Sequence, residues 1–237
     1  MSVTDLAPEA TAEEFALTID SGQPLSGTLI ADLAGLCDQV EDAGGDATVT
    51  IRLTGNGRPG DWPGPVGIDL VSRWEKVLRR LERSPAAVVV VADGPCAGSA
   101  LEVLLIADHR AATPQFRIVP PMTDGSPWAG MFLYRLVNHL GGAHARRIVL
   151  FGAGLSAVEA LDLGLLDEIV TDPATPAVEH LDGVARSELA VRRRLLLDAG
   201  STSFDEALGM HLAACERALR RATREADTPA AAAREGA

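Results

Sequence analysis

The stretch that decides the fold is V88-VVVADGPCAGSALEVLLIADHRAA-T113. It opens on a continuous apolar run, Ala86 to Ala92. Such a run suits a strand buried on both faces, the situation inside a parallel sheet. Asp93-Gly94 breaks the run, and small residues follow at Ala97, Gly98, Ser99 and Ala100. The apolar spacing then changes to a helical one in SALEVLLIAD. A buried strand turning tightly into a helix leaves the first helical N–H groups without internal partners, at the positive end of the helix dipole. Small residues let a ligand approach those groups. The turn therefore suits a developing oxyanion, and Glu102, one turn in, is a candidate general acid or base if burial raises its pKa.

Working outward, the same alternation recurs. FALTID (15–20) and ATVTIRL (47–53) read as strands. Ser26 is placed to cap a helix that stops at Gly44-Gly45 and carries Leu29, Leu33, Leu36 and Val40 on one face. A Gly/Pro-rich loop, GNGRPGDWPGPVG, precedes a helix from Ile68 to Arg83 with a stripe of Leu70, Trp74, Val77, Leu78 and Leu81. Short strands are expected at 109–112, 116–119 and 166–170. Three helices are expected in WAGMFLYRLVNHL, AHARRIVLF and SAVEALDLG, and two more over 176–199 and 204–226. Strands alternating with helices imply an α/β fold with a mainly parallel sheet. The expected division is a core over 15–170, a helical C-terminal region over 171–226 that serves oligomerisation, and flexible tails at 1–14 and 227–237.

Composition bounds the function. The 237 residues carry 21 Lys plus Arg against 33 Asp plus Glu, a formal net charge of −12, which argues against nucleic acid or an anionic membrane as partner. Cys37, Cys96 and Cys215 form no CxxC, so neither a disulfide framework nor a metal cluster is expected. No signal peptide is visible and no apolar run is long enough to span a bilayer, so a cytoplasmic setting is the expectation. Lys76 is the one lysine. A bound polyanion would therefore meet arginine, and Arg192-Arg193-Arg194 is either such a patch or a solvated helix face.

With these residues in view, the chain resembles the crotonase (enoyl-CoA hydratase/isomerase) superfamily. The resemblance rests on Asp93-Gly94, on Gly98-Ser99-Ala100-Leu101-Glu102, and on Ala107-Asp108-His109-Arg110-Ala111-Ala112. It continues in Pro127-Trp128-Ala129-Gly130 with Arg135-Leu136, and in FGAGLSAVEALDLGLLDEIV (151–170). It implies a ββα spiral core, a homotrimer or hexamer, a CoA thioester as substrate and no resident cofactor. It also implies two backbone N–H groups on the thioester oxygen. Ser99, beside Gly98, supplies one; the other comes from the Gly/Pro loop, where Gly64 and Gly67 both remain open and Pro63 and Pro65 lack the N–H. Glu102 falls on the family's first catalytic glutamate. The second is missing, because the segment reads Phe116-Arg117-Ile118-Val119-Pro120-Pro121; Asp124 is the nearest substitute.

Within the superfamily, WEKVLRRLERSP and STSFDEALGMHLAACERALRR resemble the branch that serves 3,5-dihydroxyphenylglycine formation in antibiotic biosynthesis. That resemblance implies work beside a type III polyketide synthase, in dehydration and aromatisation to 3,5-dihydroxyphenylacetyl-CoA. The alternative is a non-catalytic partner of the synthase or of another crotonase-like protein. Simpler readings stand beside these. Glu102 also complements a helix dipole, and Ser99 is also an N-cap. Caseinolytic-type proteases share the core and put a nucleophilic serine at this helix start, but that chemistry needs a histidine base. None of His109, His139, His144, His180 and His211 stands in a matching motif.

Overall fold

The structure is a computed structural model and describes residues 13–44, 47–55, 62–174 and 186–226. The chain begins with β1 (Glu14–Asp20), α1 (Gly27–Ala43), β2 (Thr48–Thr54), α2 (Ile68–Glu82) and β3 (Ala87–Ala92). The Ser26 hydroxyl accepts the Leu29 N–H, and α1 ends on Gly44 at φ 83°, so both stops read from the sequence are present. The alternation continues through β4 (Pro95–Cys96), α3 (Gly98–Leu104), β5 (His109–Ala112) and β6 (Arg117–Ile118). A hairpin of β7 (Met122–Thr123) and β8 (Ser126–Pro127) comes next. Then follow α4 (Phe132–Phe151), α5 (Ala157–Asp162), β9 (Glu168–Ile169), α6 (Arg186–Ala199) and α7 (Phe204–Ala226).

Five strands form one parallel sheet in the order β1-β2-β3-β5-β9. β3 lies at its centre and is buried throughout, as its uninterrupted valines require. Val88, Val90 and Ala92 point into the main core with the apolar faces of α1 and α2. Ala87, Val89 and Val91 meet Ala111 on the other face, with Val170 and Leu189 against them. β4 pairs with β6 in a separate two-stranded parallel sheet.

Three expectations need correction. The helix read over SALEVLLIAD is shorter, because Asp108 returns the chain to the sheet: its carboxylate accepts the Val88 N–H and its own N–H donates to Val88 O, both at 2.8 Å. Asp108 is thus a structural clamp. The two helices read over WAGMFLYRLVNHL and AHARRIVLF run together as α4, kinked where Gly141 takes φ 71°. The β7–β8 hairpin went unread, although its Asp124-Gly125 turn, at φ 48° and 74°, is a strong hairpin dipeptide.

The chain divides into two compact units, Met1–Ala190 and Val191–Ala237. In the second, α7 exposes Phe204, Leu208, Leu212 and Leu219. Residues 1–12, 175–185 and 227–237, which hold most of both expected tails and the first part of the helix read from Pro176, lie outside the described residues. Among the described residues no helix is long and apolar enough to cross a membrane.

Candidate active site

The strand-to-helix turn is built as its sequence implies. Gly98 takes φ 49°, a left-handed conformation that favours glycine. The Ala100 and Leu101 N–H groups both return to Ala97 O, while those of Gly98 and Ser99 make no hydrogen bond among the described residues. A cleft of about 300 Å³ opens at this turn, walled by Ala97, Gly98, Trp62, Gly64, Pro65 and Pro121 together with residues 21–24. The two loop glycines now separate. Gly64 lines the cleft that Gly98 lines, whereas Gly67 caps the start of α2 and its carbonyl accepts from Leu70 and Val71. No arginine is on the cleft wall among the described residues.

The indole of Trp62 lies flat against Gly98. A β-carbon there would stand 2.9 Å from Trp62 Cε3 and 3.1 Å from Cδ2. Gly98→Ala must therefore displace the ring and hold alanine in a left-handed conformation. The expected cost is about 1–3 kcal/mol, read as a lower urea midpoint at unchanged m-value.

Glu102 is buried, with 1% of its surface exposed. Its Oε2 accepts the indole N–H of Trp74. Its Oε1 lies 3.1 Å from where a β-carbon on Gly130 would stand, and the Trp128 ring covers the same glycine. Burial, seconded by the charge of Glu75, pushes the Glu102 carboxyl from 4.5 up to about 8, against the Trp74 hydrogen bond and Arg135. Trp62 and Trp74 pack edge to face with centroids 6.2 Å apart. All three tryptophans of the chain thus surround this one turn. Glu102 is not on the cleft wall; Trp62, which is, packs edge to face on Trp74, and Trp74 holds the carboxyl.

Behind these tryptophans lies a group of charges that the sequence motifs do not single out. Arg135 is buried, with Nη1 at 3.0 Å from Glu75 and Nε at 4.0 Å from Glu82; Glu82 also takes a salt bridge from Arg79. A signal was present. Glu75 and Glu82 are seven residues apart on α2, on the side that carries Trp74, Leu78 and Leu81, where carboxylates are not expected unless paired.

The other candidates fall in place. Ser99 Oγ is fully buried, with no hydrogen-bond partner among the described residues. His139 is engaged by Leu105 O and Arg110, and burial lowers its pKa; His109 faces Asp167 and Glu168. His180 lies outside the described residues. No described histidine serves Ser99, so no Ser–His pair is assembled among the described residues. Asp124 sits exposed on the β7–β8 turn. Cys96 is buried in the core, and burial raises its thiol well above the ordinary value, the opposite of an activated nucleophile. Arg192, Arg193 and Arg194 lie on α6, where Arg194 faces Asp198 at 3.8 Å.

Comparison with known proteins shows the family. Residues 69–225 match the family model described as enoyl-CoA hydratase/isomerase. A curated relative, an enoyl-CoA hydratase of Amycolatopsis orientalis, is 44% identical over 214 residues, covering 88% of this chain and 97% of its own. Among solved structures, an enoyl-CoA hydratase/isomerase from Marinobacter aquaeolei superposes with a TM-score of 0.72 at 18% identity, over 90% of each chain. An enoyl-CoA hydratase from Mycobacterium smegmatis gives 0.69 at 17%, over 86% of this chain and 87% of its own. The family-model match and the 44% identical relative place the chain in the enoyl-CoA hydratase/isomerase, or crotonase, family.

Proposed function

We propose that this protein adds or removes water across the carbon–carbon bond next to a CoA thioester, with Glu102 as the acid–base group. The observation that carries the reading is a buried carboxyl, its pKa raised by burial, one turn behind two N–H groups that make no hydrogen bond among the described residues. With the thioester oxygen on the N–H groups of Ser99 and Gly64, the charge that develops there on enolisation is stabilised, and one such donor contributes about 2.7–4 kcal/mol. In the dehydrating direction, Glu102 gives its proton to the departing β-hydroxyl. The carboxylate so formed takes the α-proton, so water leaves, the double bond forms and Glu102 returns protonated. Trp74 must release Glu102 for this.

The finer assignment is dehydration and aromatisation to 3,5-dihydroxyphenylacetyl-CoA beside a type III polyketide synthase, in antibiotic biosynthesis. The likeness of WEKVLRRLERSP and STSFDEALGMHLAACERALRR to that branch supports it. The exposed apolar stripe on α7 supports a trimer or hexamer, since single chains seldom leave such a face open. Incubation with crotonyl-CoA and 3-hydroxybutyryl-CoA, followed by the thioester-conjugated absorbance, tests the coarse reaction. Interconversion is expected. Absence of both turnover and calorimetric binding for these and for a polyketide-derived acyl-CoA would overturn it.

One observation favours a second reading, a non-catalytic partner of the synthase or of another crotonase-like subunit: Glu102 does not line the cleft, and its carboxyl is held by Trp74. Co-purification with the synthase, with a gain in product that survives Glu102→Gln, would select it.

A further inference from the structure

Glu102 is absent from the cleft wall, yet an unbroken line of contacts joins it to the cleft. Trp62 lines the cleft, and its ring lies against Gly98. It packs edge to face with Trp74, and the Trp74 indole N–H donates to Glu102 Oε2. Trp74 and Glu102 each keep 1% of their surface exposed. The backbone of Trp62 is tied down: its N–H donates to Met122 O at 3.1 Å, and its carbonyl accepts the Thr123 hydroxyl. The indole is therefore the part of Trp62 that can answer a ligand. Trp74 has one side-chain donor, and Glu102 takes it. Breaking that bond strands a buried N–H, which keeps it closed in the empty protein.

We propose that Trp62 and Trp74 are positioning residues that couple filling of the cleft to release of Glu102: a ligand seated at Gly98 displaces the Trp62 ring, Trp74 loses its brace, and its N–H lets the carboxyl go. Such a relay rests on the reading of Glu102 as the acid–base group. It makes the carboxyl available only while the cleft is filled. A ligand shifts this equilibrium only as far as it prefers the displaced position of Trp62. A coupling of ordinary size changes the released fraction about 5- to 150-fold.

Exchange of the Trp74 indole proton with water reads the bond itself, whereas ring currents alone would move its chemical shift. Nitrogen–proton spectra show one indole resonance for each of the three tryptophans, and Trp74→Phe identifies that of Trp74. In the empty protein its exchange should be slow, and saturating crotonyl-CoA should speed it about tenfold or more. Gly98→Ala, whose β-carbon presses on the Trp62 ring, should speed it with no ligand present. Trp62→Leu, which removes the brace, should leave it fast with and without crotonyl-CoA. A merely structural indole pair would give no response to ligand in the wild type. The relay is overturned if Trp74 exchanges at the wild-type rate in both variants, or if crotonyl-CoA binds by calorimetry and leaves the exchange unchanged. Failure of the acid–base reading looks different: the exchange answers as stated, but Glu102→Gln turns over acyl-CoA at the wild-type rate.

Discussion

Replacing Glu102 with glutamine should cut turnover of a β-hydroxyacyl-CoA by about 10²- to 10⁴-fold, the usual contribution of a positioned proton-transfer group. The amide fills the same space and still accepts the Trp74 N–H, so the fold and acyl-CoA binding should survive. The same substitution should alter how stability depends on pH. In the unfolded chain Glu102 gives up its proton near 4.5; in the native protein it keeps it up to about 8. Between those values the native state binds more protons, so the wild type loses stability as pH rises. The slope approaches about 1.4 kcal/mol per pH unit from this group. Below 4.5 both states are protonated and the contribution is flat. Urea midpoints measured from pH 5 to 8 should fall for the wild type and fall less for Glu102→Gln. Equal slopes would show that Glu102 is not protonated in the native protein.

The largest effect on stability is expected at Arg135. Replacing it with methionine keeps the aliphatic stem but leaves the half-buried Glu75 without its cation and the buried Glu82 with Arg79 alone. Removing one partner of a buried pair typically costs about 3–5 kcal/mol, because the remaining charge has lost both water and partner. Denaturant unfolding at pH 7 measures it. The double variant Arg135→Met with Glu75→Gln should recover part of the loss, since the stranded charge is gone. Without that recovery, the damage would be to packing.

The sheet and the turn were legible because local pattern and burial coincide there. Six consecutive apolar residues allow β3 only one place, the centre of a parallel sheet. Ser26 and Gly44 mark α1 by side-chain chemistry and backbone conformation alone. The end of α3 was not legible, since apolar residues run on to Ala107 and only a long-range bond from Asp108 to Val88 shows where the helix gives way. The site was half legible. Glu102 and Gly98 follow from the turn, and the structure distinguishes Gly64 from Gly67 by which one reaches the cleft. Glu75 and Arg135 were hidden because ion pairs between helices 60 residues apart leave no periodic trace; a carboxylate on the apolar side of α2 was the only hint.

The clustering of Trp62, Trp74 and Trp128 about a single turn has an optical consequence. Every indole emitter of the chain reports from the same few ångströms, and residues 191–237 contain none. Intrinsic fluorescence is therefore a local instrument for this protein. It registers a ligand at Trp62 or a change of charge beside Trp74, and α7 contributes no indole of its own. Circular dichroism weighs all the helices together, so the two signals coincide only if both compact units unfold as one cooperative body.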